Sequence, residues 1–153
     1  MRLTYIDFHG VLVDFVGAVN ELYGVDIYAD KKNLGNWHAP SLLPDFYNVI
    51  NNQDADWWAS HKIIPNARVL IQVYKPDAIL STLWGNAVSY EGVTRILAKE
   101  FPDLPVIFTD HKHLLAKGNT LIDDKDENIE AWRKAGGIGI LNNGVMNSGW
   151  KRL

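Results

Sequence analysis

Five short apolar runs constrain this chain most: Leu3 to Ile6, Ala78 to Leu80, Val106 to Phe108, Thr120 to Ile122 and Ile138 to Leu141, with helical periodicity between them. Runs this short and this apolar read as buried strands. Strands that alternate with helices form a mainly parallel sheet with helices on both faces, an α/β architecture. Right-handed crossovers put every strand's carboxyl end on one edge, where open α/β sheets hold their ligands. Four runs close on polar residues: Asp7; Ser81 with Thr82; Thr109 with Asp110, Lys112 close behind; and Asp123 with Asp124. Each alone has an ordinary explanation, as a helix cap, a solvated loop lysine or an acidic turn. As an ordered set at strand ends they predict a site.

Between the strands, Phe15, Val16, Val19, Leu22 and Tyr23 recur at helical spacing until Gly24 stops them. A second helix runs from about Asn66 to Tyr74, closed by Pro76-Asp77. Asn86 caps a third, whose Tyr90, Val93, Ile96, Leu97 and Phe101 form an apolar stripe. A last helix carries Ile129 and Trp132 and ends at Gly136-Gly137. Residues 25 to 56 break the pattern with Gly35-Asn36, Pro40, Pro44 and Asn51-Asn52-Gln53. They read as a loop-rich insertion with one short helix around Asp45 to Ile50; from Asp56 a helical turn carries Trp57 and Trp58. Irregular stretches this long are usually functional or mobile. The Gly/Asn-rich tail from Asn142 is expected to cross the surface.

The totals exclude little but sharpen the class. At 153 residues the chain suits one domain with a real core. A net charge of −3 gives no reason to expect an extended nucleic-acid surface, although a pocket for a nucleotide needs only local charge. Cysteine is absent, so there are no disulfides and no thiolate metal site. Asp7 interrupts any signal-peptide core and no run reaches the ~20 apolar residues of a membrane span, so the cytoplasm is the default expectation.

Chemically, Asp7 with Asp124 can hold a hard divalent cation such as Mg²⁺, which takes one or two carboxylates and engages substrate phosphate. Ser81 and Lys112 can bind phosphate oxygens. A second oxygen of Asp7 is then free to attack phosphorus and form an aspartyl-phosphate.

The set resembles the haloacid dehalogenase (HAD) superfamily of phosphohydrolases, and within it the small nucleotidase-like proteins, including bacterial and phage members near the 5′(3′)-deoxyribonucleotidases. Asp7-Phe8-His9-Gly10-Val11-Leu12 resembles the first motif, DxDGVL, and Leu80-Ser81-Thr82 the second. Lys112-His113-Leu114-Leu115-Ala116 is similar to the lysine motif of this subgroup, and Leu121 to Ile129 to the fourth motif; Trp132 and Gly136 to Leu141 continue the match. The resemblance implies a HAD-like Rossmannoid domain over residues 1–153, with a reduced cap inserted after the first strand at about 25–60. It implies Asp7 as nucleophile and metal ligand, the backbone carbonyl of His9 as a second ligand and Asp124 as the direct carboxylate ligand. Asp123 and Asn128 would lie close by in the metal's water shell. Ser81, Thr82 and Lys112 would hold the phosphoryl group, with Lys117 a poorer match for the lysine. Trp37, Phe46, Tyr47, Trp57 and Trp58 in the cap either stack on a base or pack within the cap. The implied activity is Mg²⁺-dependent hydrolysis of a small phosphomonoester, a nucleoside monophosphate among the candidates.

One position departs from the family. Its second motif-one aspartate protonates the leaving oxygen and later activates water, and here that residue is His9. An imidazole of reference pKa ~6.5 can do acid–base work near neutrality, but a cation beside Mg²⁺ should have its pKa lowered. The alternative is therefore a catalytically impaired HAD-fold protein that binds phosphate or a partner without turnover. Ile6-Asp7-Phe8-His9-Gly10 also resembles the D-x-H-G opening of calcineurin-like metallophosphoesterases, with Asp110-His111-Lys112-His113 as a late histidine pair, yet their G-D-x-x-D and G-N-H-[DE] motifs are missing. His38 and His61 have no partner at ligand spacing and are expected to be ordinary surface or cap residues.

Overall fold

Apolar residues on both faces of a strand demand cover on both sides of the sheet, and the chain supplies it for the three central strands, leaving Ile107, Ile138 and Leu141 exposed at the edges. In the computed structural model, which describes residues 1–82, 84 and 86–143, the strands are β1 (Thr4–Ile6), β2 (Ala78–Ser81), β3 (Val106–Phe108), β4 (Thr120–Asp123) and β5 (Ile138–Leu141). They pair in parallel in the order β3-β2-β1-β4-β5. The helices are α1 (Phe15–Tyr23), α2 (Phe46–Asn51), α3 (Ala55–Ala59), α4 (Ala67–Tyr74), α5 (Ala87–Glu100) and α6 (Asp126–Lys134). No helix among the described residues is long and apolar enough to cross a membrane. The expected tail beyond Asn143 lies outside the described residues.

Strand alternation sorts the core into two layers. Ile6, Ile79 and Ile122 stand side by side at one register level and meet Ala67, Val93, Ile96 and Leu97 of α4 and α5. Tyr5, Leu80 and Leu121 face the other way, onto Ile129 and Trp132 of α6. Each fully buried aliphatic side chain contributes roughly 2 kcal/mol relative to exposure. Trp132 is wholly buried and its indole N–H donates to the Asn119 carbonyl at 3.1 Å, so its one polar atom is satisfied. The stripe expected on α5 holds at Val93, Ile96, Leu97 and Phe101. Tyr90 departs from it: its ring stays half exposed and packs beside Phe108, centroids 5.0 Å apart.

Helix α1 starts where Asp14 accepts the Gly17 N–H at 2.8 Å and stops at Gly24, whose φ of 64° is left-handed. The insertion that follows is built from 3₁₀ turns at Ile27–Ala29, Lys31–Asn33 and Ala39–Leu42 ahead of α2 and α3. Asp26 and Asp30 set the first two: each side chain accepts the backbone N–H two residues on, from Tyr28 and from Lys32. A second apolar cluster joins Phe15, Val16 and Val19 of α1 to Ile27, Tyr28, Phe46, Ile50 and Trp58. Helix α3 lies so close to α5 that a Cβ at Gly92 would strike Trp58 and the Ala55 and Ala59 backbone. That contact anchors the insertion to the sheet domain.

Candidate active site

The register that orders the core also aims the acids. The N–H of Asp7 continues the parallel ladder by donating to the Ile122 carbonyl at 2.8 Å. This sets Asp7 level with Asp123, both side chains turned toward the α6 layer. On that face the 3₁₀ turn Lys112–Leu115 packs through Leu115 and Ala116. Its first residue, Lys112, is only 5% exposed and places Nζ 2.7 Å from Asp7 Oδ1 and 2.7 Å from Asp123 Oδ2. Asp123 also accepts the Lys125 N–H at 2.9 Å and the Asn128 side-chain amide at 3.0 Å. Asp123 and Asn128 therefore form the seat of the lysine.

Asp7, Asp123 and Asp124 bring one carboxylate oxygen each within 4.8 Å of one another. Three acids against one ammonium leave an excess of negative charge. Burial, then the charges of Asp7 and Asp123 and a hydrogen bond with Asp7, push the Asp124 carboxyl well above the usual range against the pull of Lys112. Asp123 is raised by burial and by Asp7, with Lys112 opposing. Burial pushes Lys112 down, but the two carboxylates outweigh it and its ammonium is held above its ordinary value. Crowded, all-oxygen donors that resist ionising together fit a hard divalent cation, which would relieve the repulsion. The approach of the first loop to Asp124 requires a glycine: Gly10 has φ of 86°, and a Cβ there would run into the Asp124 carboxylate.

Around His9 lies an aromatic box. The His9 ring meets Phe8, Phe15, Trp58, His61 and Trp84 edge-to-face, with centroids 5.0 to 6.3 Å apart. Its Nε2 is buried with no hydrogen-bond partner among the described residues, as are the Trp58 indole nitrogen and both ring nitrogens of His61. Burial first, and the Lys112 charge second, lower the His9 imidazole to about 3. Burial and His9 take His61 well below its ordinary value. His61 is 5% exposed and part of the box, not the ordinary surface or cap residue expected.

The acids and the rings of His9, Phe15 and Trp84 adjoin a cavity of about 330 Å³. Asp7, His9, Thr82, Lys112, Asp124 and Asn128 reach it from the sheet edge, and Trp37, Phe46 and Tyr47 from the insertion. Strand parity separates the two β2 hydroxyls. Ser81 is wholly buried, its Oγ 3.4 Å from the Thr82 carbonyl, while Thr82 lines the cavity. Thr109 turns its hydroxyl back to the His111 N–H at 2.9 Å, and Asp110, His111, His113 and Lys117 are exposed. Trp58 is packed out of reach at 0% exposure and Trp57 faces a different depression. Trp84, stacked on Phe15 at 4.9 Å, and Lys125 also line the cavity, and the sequence reading missed both. His38 is exposed in the insertion, as expected of a surface or cap residue, and its Nε2 lies 2.6 Å from Glu127 Oε1.

No protein-family model matches the chain, and no curated protein is significantly similar to it. Solved structures do match. A crystal structure described as a dehalogenase superposes with a TM-score of 0.54 at 13% identity, covering 94% of this chain and 85% of that one. A hydrolase from Streptococcus pneumoniae TIGR4 gives 0.52 at 15% identity, covering 95% of each chain. YfnB from Bacillus subtilis, described as a HAD-hydrolase and solved bound to magnesium, gives 0.53 at 13% identity, covering 94% and 90%. The chain has the HAD-like fold.

Proposed function

We propose that this protein is a HAD-type phosphohydrolase that cleaves a small phosphomonoester through an aspartyl-phosphate on Asp7, with a nucleoside monophosphate as the favoured substrate class. The observation that carries the reading is the convergence of Asp7, Asp124, Lys112 and Thr82, from separate strands and turns, on one cavity. Asp7, Asp124 and the backbone carbonyl of His9 would hold Mg²⁺, which when bound offsets negative charge on the phosphoryl oxygens. The magnesium in the YfnB structure supports that choice. Lys112, pinned between two carboxylates, sets the orientation of Asp7 and presents a fixed positive charge to the phosphoryl group. An Asp7 oxygen bonds to phosphorus as the ester P–O bond breaks, and the departing oxygen takes a proton from solvent water, to which the attacking water of the second step returns one. Water then attacks the same phosphorus, releasing inorganic phosphate and restoring the carboxylate. Flat side chains on the insertion side of the cavity suit a planar leaving group.

A second reading, the impaired HAD-fold protein that binds phosphate without turnover, is favoured by the aromatic box. An imidazole lowered to about 3 carries no donatable proton at neutral pH as a cation. A screen of phosphomonoesters with Mg²⁺, run on the natural chain and on His9→Asp, separates the two. The proposed hydrolase turns over at least one ester with His9 in place, and His9→Asp raises its kcat by about tenfold or more. Turnover only in His9→Asp establishes the second reading, and inactivity of both proteins with every ester overturns the first.

A further inference from the structure

One wall of the cavity is held by a contact across ninety residues of chain. Trp37 belongs to the insertion and lines the cavity; Glu127 sits in the first turn of α6, three residues after Asp124. The Trp37 indole N–H donates to Glu127 Oε2 at 3.1 Å while His38 Nε2 lies 2.6 Å from Oε1, so one carboxylate grips two neighbouring rings. The Lys125 ammonium lies 3.5 Å from the centre of the Trp37 ring. Lys125 is itself tied to the metal-site loop, since its N–H donates to Asp123. Burial raises the Glu127 carboxyl, but hydrogen bonds from His38, its own backbone N–H and Trp37 hold it below the usual range, as expected of a committed acceptor. Elsewhere along the insertion, aromatics such as Phe46 and Trp58 are fixed by apolar packing. Trp37 is instead fixed by an edge bond, a cation over its face and a tethered neighbour.

We propose that Glu127, assisted by Lys125, is a positioning residue that clamps the insertion to α6 and fixes Trp37 as part of the cavity wall, so that selection for ring-bearing leaving groups runs through it. The proposal rests on the phosphohydrolase reading for its substrate half; the clamp stands on the contacts. Lys125 and the His38 ring, 3.9 Å away centroid to centroid, lie against Trp37, so a preset Trp37 offers its remaining cavity-lining edge to a bulky leaving group without first losing side-chain freedom, whereas a loosened one must be ordered during binding. Glu127 touches neither the reacting atoms nor Asp7, so its loss should raise KM for substrates that reach Trp37 and leave the chemical step alone.

The test compares the natural chain with Glu127→Ala, Glu127→Gln and Trp37→Phe in two measurements. Backbone hydrogen exchange over residues 36 to 42 should quicken by about tenfold in Glu127→Ala and by less in Glu127→Gln, which keeps one acceptor oxygen. With a nucleoside monophosphate as substrate, Glu127→Ala should raise KM roughly five- to tenfold with kcat within about twofold. With glycerol phosphate, which has no ring, both constants should stay within about twofold. Trp37→Phe, which keeps a plane but loses the N–H, should fall between. Unchanged exchange overturns the clamp. Equal losses on the two substrates, or a loss in kcat alone, overturn the positioning role in favour of general destabilisation. Failure of the natural chain to hydrolyse any phosphomonoester overturns the proposed function and the substrate half with it, while the exchange result still decides the clamp.

Discussion

The two walls of the cavity solve the burial of polar groups in opposite ways. On the sheet-edge wall, Lys112, Asp7, Asp123 and Asn128 bond to one another within 3.0 Å. Behind the other wall, in the aromatic box, Nε2 of His9, both ring nitrogens of His61 and the Trp58 indole nitrogen are equally buried and bond to nothing among the described residues. Leaving a buried polar atom unpaired costs on the order of 1–3 kcal/mol each. The first wall uses burial to fix charges in place, and the second uses it to keep imidazoles neutral. A nucleophile needs the former. An acid–base group tuned near neutral pH needs something between the two, and His9 lies at the far end.

The largest effect is expected at Asp7. Asp7→Asn keeps the shape and the Lys112 contact but removes the attacking charge, and should lower kcat by ~10³-fold or more with the thermal midpoint retained. Steady-state kinetics beside a melting curve check it; surviving turnover removes Asp7 from the nucleophile's place. Next in size is Lys112→Met. Deleting one partner of a buried charge cluster leaves Asp7 and Asp123 facing each other and should cost about 3–5 kcal/mol of stability, with Mg²⁺ recovering part of it in a calorimetric scan. A smaller effect sharpens the aromatic box. His9 and His61 have folded-state pKa values below the unfolded reference, so their contribution to stability is whole above pH ~6.5 and is lost as pH falls toward the folded values. Each pH unit in that window should cost up to ~1.4 kcal/mol per histidine. Melting curves from pH 7.5 down to 5 should show His61→Phe losing less stability on acidification than the natural chain.

The charged wall was legible in the sequence because it is written by strand ends. An apolar run followed by Asp7, another by Asp123-Asp124, and parallel topology between them leave little choice about where the acids meet. Lys112 and Lys117 differ by burial under the 3₁₀ turn, which favours the residue the motif favoured. Of the two hydroxyls expected at the end of β2, strand parity from Ala78 and Leu80 points Thr82, and not Ser81, to the face of Asp7. The box and the insertion were not legible. Tight turns set by Asp26 and Asp30 carry no periodicity, and Trp84 sits outside any amphipathic pattern. The clamp from Trp37 and His38 to Glu127 joins residues 90 and 89 positions apart, which no local signal relates.

The most direct test is covalent. Incubate the protein with Mg²⁺ and a phosphomonoester substrate, quench in acid and map the adduct by mass spectrometry. The account predicts one phosphoryl group on the peptide carrying Asp7, absent from Asp7→Asn and from a metal-depleted sample. Turnover of the ester without that adduct, or a phosphoryl group on any other residue, would contradict it.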